Sequence, residues 1–189
     1  EMGILEESAE IALAKEYGPI ILESKLRPML RPEIAVTKLA PGIPLEFKIR
    51  LILEPEFELP EYKKIALDVI KAPIEKVEGV KELTEEEKKE KLRVSILEKI
   101  EEGTKLELPQ RFLEAESQHM LHHLKQDVLK AGLKWEEYLE KIEKKEEDLK
   151  DGWKKHIASR AKLELIVAKI AEKENLKTYG EVFELLEKA

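Results

Sequence analysis

The sequence predicts a mainly helical α+β protein: a small module of helices and antiparallel strands, followed by an extended multi-helix domain. Eight of the nine prolines lie before residue 75, where they break the chain into short elements. After that point, charged residues alternate with regularly spaced apolar ones, a pattern typical of solvated helices. We therefore assign residues 1–74 to the α+β module and residues 75–189 to the helical domain.

The first module carries helix signals and then strand signals. Apolar residues recur at helical spacing over residues 4–16, Gly18-Pro19 interrupts them, and a second short helix is expected over residues 20–26. Residues 33–39 and 45–51 alternate apolar and polar side chains on either side of a Pro-Gly turn. This predicts an antiparallel pair that the preceding helices cover. Residues 62–69 are a further strand candidate.

The rest of the chain carries five helix patterns, after a linker expected at residues 73–83. Thr84 and Glu87 form a capping-box sequence that opens the first helix, which ends at Gly103. Pro109 suits the first turn of the second helix, which ends at Ala131-Gly132. The remaining patterns cover residues 135–142, 146–173 and 179–188. No heptad pattern persists long enough to predict a coiled coil.

Composition and charge exclude several classes of protein. The chain has 34 Lys+Arg against 41 Asp+Glu, a net charge of −7, which argues against nucleic acid as a direct partner. It has no cysteine, so there is no disulfide framework or thiolate metal site. No apolar run is long enough to span a bilayer, and the first residues lack a signal-peptide pattern. We therefore expect a cytoplasmic protein with no membrane partner.

The sequence offers no enzyme signature and no cofactor site. It lacks the Gly-x-Ser-x-Gly turn of serine hydrolases and any Gly-rich phosphate loop. Glu116 and His119 form a Glu-x-x-His motif, with His122 and His123 beside it. Dimetal helical bundles need this motif twice, and it occurs once. We therefore expect no metal site and interpret these histidines as solvated residues of a helix surface.

The large apolar side chains of the helical domain allow two interpretations. Trp135, Tyr138 and Trp153 are prominent in a chain with only 5% aromatic residues. They either pin neighbouring helices together or remain partly exposed on a concave surface, because an open helical array has little internal volume. Exposed apolar surface surrounded by charge suits binding of unfolded segments, and the flexible side chain of Met120 suits such adaptable contacts.

The order of the segments resembles the bacterial trigger factor family. Residues 31–47 and 55–63 resemble its "Pro-x-Ile" strand, its "Pro-Gly-x-x-Leu-x-Phe" turn and its "Pro-Glu-hydrophobic-Glu-Leu-x-x-Tyr-Lys" exit. Residues 108–114, 132–139 and 163–176 are similar to segments of its helical arms, among them "Gly-Leu-x-x-Glu-x-Tyr-Leu". The matches span most of the chain. On this resemblance, residues 1–74 correspond to the rear of the family's amino-terminal domain and residues 75–189 to its substrate-binding helical domain.

Two parts of the family pattern are missing. The ribosome-docking signature "Gly-Phe-Arg-x-Gly-x-x-Pro" lies upstream of the first helix in the family and is absent here. The prolyl isomerase domain is inserted between the two halves in the family, and the linker at residues 73–83 is too short to hold it. Isomerase activity is therefore not expected. The chain is therefore expected either to lack direct ribosome docking, to be an amino-terminally trimmed piece or to be a diverged relative, and a ribosome link is expected only through the missing amino-terminal part.

The resemblance implies an ATP-independent chaperone, a holdase that cradles unfolded or nascent polypeptides without any cofactor. The alternative is a helical structural or assembly protein that binds one folded partner or forms a homodimer. The residues expected to contribute to polypeptide binding lie on apolar helix faces: Met120, Leu124, Trp135, Tyr138, Trp153 and Ile157.

Overall fold

The structure, a computed structural model, describes residues 2–40, 42–72 and 84–188. Within these ranges the chain forms seven helices and one two-stranded antiparallel sheet, which confirms the predicted mainly helical α+β class. The elements in chain order are α1 (Met2–Glu23), β1 (Glu33–Lys38), β2 (Glu46–Arg50), α2 (Tyr62–Lys71), α3 (Glu85–Gly103), α4 (Gln110–Lys130), α5 (Trp135–Ile142), α6 (Glu146–Glu174) and α7 (Tyr179–Glu187).

The chain divides into two compact units. One unit is Glu1–Pro55 with Pro109–Phe112, and the other is Glu56–Leu108 with Leu113–Ala189. The linker predicted at residues 73–83 lies outside the described residues. Residues 57–71, which belong to the first module of the predicted division, pack into the core of the second unit. The predicted boundary at residues 74–75 remains a prediction.

Helix α1 runs without a break through Gly18 and Pro19, so the predicted interruption there is wrong. Proline lacks the amide hydrogen that would bond one turn back, which costs the helix one hydrogen bond. The amides beyond it still find partners, as the Ser24 amide donates to the Ile20 carbonyl at 3.1 Å. The helix ends where Lys25 adopts a left-handed conformation, with φ 50°.

Strands β1 and β2 form the predicted antiparallel pair. Ile34 lies opposite Ile49 and Val36 opposite Phe47, so the four apolar side chains share one face. The turn between the strands uses Gly42 at φ +75°, a conformation that favours glycine. The expected cover of β1 is incomplete, because Ile34 and Val36 remain 38% and 48% exposed. The apolar side chains on this face shield one another across the strands instead.

Helix α2 replaces the strand predicted at residues 62–69, and that prediction is wrong. Tyr62 and Ala66 are buried, and Ile65 and Val69 pack beside them. These four positions follow an i, i+3, i+4, i+7 spacing, which places them on one helix face. Burial of that face against α3 and α7 outweighs the strand preference of the β-branched residues in the segment.

The main core of the second unit lies among α2, α3, the second half of α6 and α7. Its central side chains are almost completely buried: Ile96, Ile100, Ile166, Ile170, Val182 and Leu186. The apolar faces predicted for α3, α6 and α7 are therefore confirmed. None of the helices in the described part of the chain has both the length and the hydropathy that a membrane-spanning helix requires.

Polar contacts close the edges of this core. The Tyr62 hydroxyl donates to Glu174 at 2.5 Å, and Lys63 approaches the same carboxylate at 2.7 Å. Burial, followed by the hydrogen bond to Glu174, raises the pKa of Tyr62 to about 12. A further contact joins α3 to α7, where Arg93 donates to Glu187 at 2.5 Å.

Helix ends in this unit follow the sequence signals. The Thr84 hydroxyl accepts from the Glu87 amide at 3.2 Å and the Glu87 carboxylate accepts from the Thr84 amide at 2.8 Å, so the predicted capping box is confirmed. Asn175, with φ 55°, ends α6 as predicted. Thr178 and Glu181 form a second capping box at the start of α7.

Candidate functional site

The arm, which we define as residues 113–161, comprises most of α4, all of α5 and the first half of α6. On α4, Ser117, Leu121 and Val128 are buried at intervals of four and seven residues. On α6, Leu149, Ile157 and Ala161 are buried at intervals of eight and four. Each spacing marks one face of its own helix. None of these residues belongs to the main core, and we call the two faces together the apolar seam of the arm.

One carboxylate joins the three helices of the arm. The Glu146 Oε1 atom accepts from the Trp135 indole Nε1 at 2.6 Å and lies 2.6 Å from the Lys125 Nζ. The hydrogen bond from Lys125 is the main reason that the pKa of Glu146 lies below its ordinary value, and the bond from Trp135 adds to it. Lys125 belongs to α4, Trp135 to α5 and Glu146 to α6, so this junction fixes the position of α5.

The aromatic rings of α5 form a stack beside this junction. The Trp135 and Tyr138 ring centroids are 5.5 Å apart with planes inclined by 23°, and the Lys125 Nζ lies 5.1 Å from the Trp135 centroid. A cation over the face of an indole is an attractive arrangement. Helix α5 nevertheless buries none of its side chains completely. Its apolar residues therefore remain partly accessible to solvent.

The structure places the six residues expected to bind polypeptide in three environments. Met120 is exposed, with 39% of its surface accessible. Leu124, Trp135, Tyr138 and Trp153 are half-buried, and Ile157 is buried in the seam. Trp135 and Tyr138 contact each other directly. Trp135 thus links neighbouring helices, which is the first interpretation of these aromatic residues. Its half-exposed ring surface is also compatible with the second interpretation, contact with an unfolded segment.

Two exposed aliphatic residues were not among the residues predicted to bind polypeptide. Leu129 is 68% exposed on α4, and Val94 is 49% exposed on α3. Val94 lines two depressions of about 500 and 570 Å³ along α3, whose other walls are mostly charged side chains. Both residues lie off the regular apolar stripe of their helix, and that departure from the period is the signal that could have identified them.

The histidines of α4 lie on the side opposite the seam. His119, His122 and His123 are all exposed, and the Nε2 atoms of His119 and His123 are 3.2 Å apart. Among the described residues no three His, Asp or Glu side chains converge as metal ligands. The arm therefore has an apolar seam, a half-exposed aromatic edge and an imidazole-bearing outer face.

Two family models match the chain. The model described as "Bacterial trigger factor protein (TF) C-terminus" matches residues 67–188, and the model described as "Bacterial trigger factor protein (TF)" matches residues 1–94. The matched ranges overlap at residues 67–94, so the chain passes from one family segment to the other without an inserted domain. This agrees with the expected lack of an isomerase domain between the two halves.

Curated relatives named "Trigger factor" are similar to parts of the chain. One protein from Thermus thermophilus is 33% identical over 100 residues, which cover 52% of this chain and 25% of the relative. The Shouchella clausii protein is 32% identical over 139 residues, which cover 67% of this chain and 31% of the relative. The chain thus spans only about a quarter to a third of the length of these relatives. No solved structure matches the chain.

Proposed function

The chain belongs to the trigger factor family, and on that premise we propose that it is an ATP-independent holdase that binds unfolded or nascent polypeptides on the arm. The observation that carries the proposal is the incomplete burial of the arm's large apolar side chains. Met120 is 39% exposed, and α5 leaves both of its aromatic rings half-buried. Exposed apolar surface of this kind, surrounded by charge, is suited to contact with apolar segments of another chain.

The arm side chains divide between support and contact. Ile157 is buried, and the Trp135 indole N–H is already bonded to Glu146. These two residues therefore act mainly by holding the arm in shape. The direct contacts to polypeptide come from Met120, Leu124, Tyr138, Trp153 and the accessible part of the Trp135 ring.

Each contact at this surface is weak, and the surface accepts clients of different amino-acid sequence. Methionine adapts its three rotatable bonds to different partners, and aromatic rings offer large contact areas at low entropic cost. The net charge of −7 opposes self-association of a protein that exposes apolar surface. No chemical step and no cofactor are involved, and the protein releases its client by simple dissociation.

The same proposal sets the cellular context. Nascent polypeptides are the expected clients, a ribosome link runs through the amino-terminal domain of the family, and the location is the bacterial cytoplasm. Neither nucleic acid nor a membrane is a direct partner. A homodimer, in which a second copy covers the same apolar side chains, belongs to the assembly-protein alternative.

The test is suppression of aggregation. A denatured, aggregation-prone client is diluted into buffer with increasing amounts of the chain, and light scattering is followed. We expect scattering to fall as the ratio of chain to client rises. No suppression at several-fold molar excess contradicts the proposal, and a single tight stoichiometric complex in size-exclusion chromatography with light scattering favours the assembly-protein alternative.

A matched pair of double variants locates the surface. Met120→Ser with Tyr138→Ser removes one aliphatic and one aromatic side chain from the arm, whereas Val94→Ser with Tyr179→Ser removes the same types elsewhere. Val94 and Tyr179 are 49% and 56% exposed. At about 1 kcal/mol for each partly buried side chain, the arm variant should lose about tenfold or more in client affinity. Far-UV circular dichroism checks folding, and equal losses in both variants contradict the assignment to the arm.

A further inference from the structure

The outer face of α4 carries a pair of neighbouring imidazoles. His119 and His123 are one helical turn apart, and their ring centroids are 4.5 Å apart in an edge-to-face arrangement. Their Nε2 atoms approach to 3.2 Å. We propose that these two nitrogens form a chelating site for a divalent transition-metal ion of the Zn²⁺, Ni²⁺ and Cu²⁺ group.

The distance between the two nitrogens matches the requirement of a metal ion. With a metal–nitrogen distance of about 2.0–2.1 Å, two ligands at about 90–110° around the ion stand about 2.9–3.4 Å apart. The observed 3.2 Å lies within this interval. The spacing of the two nitrogens therefore suits one shared ion, and the α-helix holds the two residues one turn apart before the ion arrives.

The pair is chemically available for coordination. Both rings are exposed and lie roughly opposite the buried Ser117, Leu121 and Val128 seam, so neither contributes to the core. Without metal, the short Nε2–Nε2 contact is an imidazole hydrogen bond, in which one Nε2–H donates to the other ring. With metal, both rings carry their proton on Nδ1 and present the Nε2 lone pairs to the ion.

The donor set indicates which ions bind and how strongly. Imidazole nitrogen suits Zn²⁺, Ni²⁺ and Cu²⁺ and does not suit Mg²⁺, which prefers oxygen ligands. Among the described residues no third His, Asp or Glu side chain converges on the pair. Water completes the coordination shell, so the site binds more weakly than a closed four-ligand zinc site and exchanges its ion readily. The second imidazole acts at high effective concentration, and losing it should weaken binding about tenfold or more.

Calorimetric titration of the intact chain tests the site. ZnCl₂ is titrated into the wild type and into His119→Ala, His123→Ala and His122→Ala variants in a buffer that does not bind metals. We expect one ion per chain, a loss of about tenfold or more in affinity for the first two variants, and an unchanged affinity for His122→Ala. MgCl₂ should give no binding heat. All three residues are exposed, so the variants should fold normally, which circular dichroism checks.

A second measurement identifies the ligands without any substitution. Addition of paramagnetic NiCl₂ should broaden the imidazole NMR resonances of His119 and His123 before those of His156, which lies on another helix. The proposal is overturned if Zn²⁺ shows no saturable binding, if His122→Ala weakens binding as much as His123→Ala, or if Ni²⁺ broadens all four histidines alike. These outcomes are independent of client binding, so they leave the proposed chaperone activity unaffected.

Discussion

Replacing Glu146 by alanine is expected to loosen the arm, because a single carboxylate oxygen serves two donors there. The Trp135 indole nitrogen and the Lys125 ammonium each lie 2.6 Å from Glu146 Oε1. Glu146→Ala removes both contacts and leaves the indole N–H without this acceptor. Glu146→Gln keeps an amide oxygen that can accept from Trp135 but removes the charge that attracts Lys125.

The magnitude follows from the two contacts. A hydrogen bond to a charged partner contributes about 1.5–3 kcal/mol, and the lower end applies here because the site is partly hydrated. The Lys125 and Glu146 side chains are 38% and 30% exposed, so their ion pair takes the screened surface value of about 0.2–1 kcal/mol. We therefore expect Glu146→Ala to cost about 2 kcal/mol and Glu146→Gln about half of that.

Urea unfolding followed by tryptophan fluorescence measures this change where it occurs. The chain has two tryptophans, Trp135 and Trp153, and both lie in the arm, so fluorescence reports the arm alone. Far-UV circular dichroism on the same samples reports all the helices. A double-mutant cycle of Glu146→Ala with Lys125→Ala isolates the ion pair, for which we expect a coupling energy of about 0.5 kcal/mol.

Glu147→Ala is the matched control, since Glu147 is the next residue in the first turn of α6 and is exposed. This variant removes a negative charge from the first turn of α6 but leaves the contacts of Glu146 with Lys125 and Trp135 in place. If Glu146→Ala lowers the free energy of unfolding no more than Glu147→Ala, the junction does not hold the arm in place.

Three further predictions concern stability. The pKa of Glu146 is lower in the folded chain than its ordinary value of 4.5, so its stabilising contribution is present above pH 4.5 and is lost as the pH falls through the lower folded value. In that pH range the free energy of unfolding should therefore depend less on pH in Glu146→Gln than in the wild type. The pKa of Tyr62 is near its ordinary value of 10.0 in the unfolded chain and about 12 in the folded one, so the wild type should lose stability as the pH rises between these values. Urea unfolding should show a smaller loss in Tyr62→Phe. Ile170 is completely buried, so Ile170→Ala should cost about 2–5 kcal/mol in chemical denaturation, whereas Ile11→Ala, at a site 64% exposed, should change little.

Helices with strong local signals could be predicted from the sequence almost to the residue. Helix α3 begins at Glu85, directly after the N-cap Thr84, and α6 ends at the C-cap Asn175, because both signals act through the local backbone. The regular apolar spacing on α3, α6 and α7 also identified most of the main core. In these segments, local preference and tertiary burial favour the same conformation.

The two errors have different causes, and one of them is a tertiary contact that overrides local preference. The segment Tyr62–Lys71 contains β-branched residues that favour a strand, and it is helical because Tyr62 and Ala66 are buried against neighbouring helices. At Pro19 the missing N–H costs α1 one hydrogen bond, and the helix continues to Glu23 with local partners for the amides beyond it. The balance at Tyr62–Lys71 cannot be assessed without knowing what surrounds the segment.

The candidate site was predicted in composition but not in arrangement. The apolar residues of the arm are visible in the sequence, whereas the burial of Ile157 and the 68% exposure of Leu129 depend on tertiary packing. The bond between Trp135 and Glu146 joins residues on different helices, and no periodic pattern specifies it. For the same reason, the 3.2 Å approach of His119 and His123 depends on side-chain rotamers that spacing alone does not fix.

The exposed hairpin of β1 and β2 affects how the molecule opens. An isolated two-stranded pair is marginally stable in water, and here β1 is exposed along its whole length. The backbone amides that pair the two strands should therefore exchange with deuterium through small local fluctuations. The amides around the buried Ile96 and Ile100 in the main core should exchange only through global unfolding. Mild heating or low denaturant thus melts the hairpin first, and a protease added under those conditions should cut residues 33–50 while the helical unit stays intact.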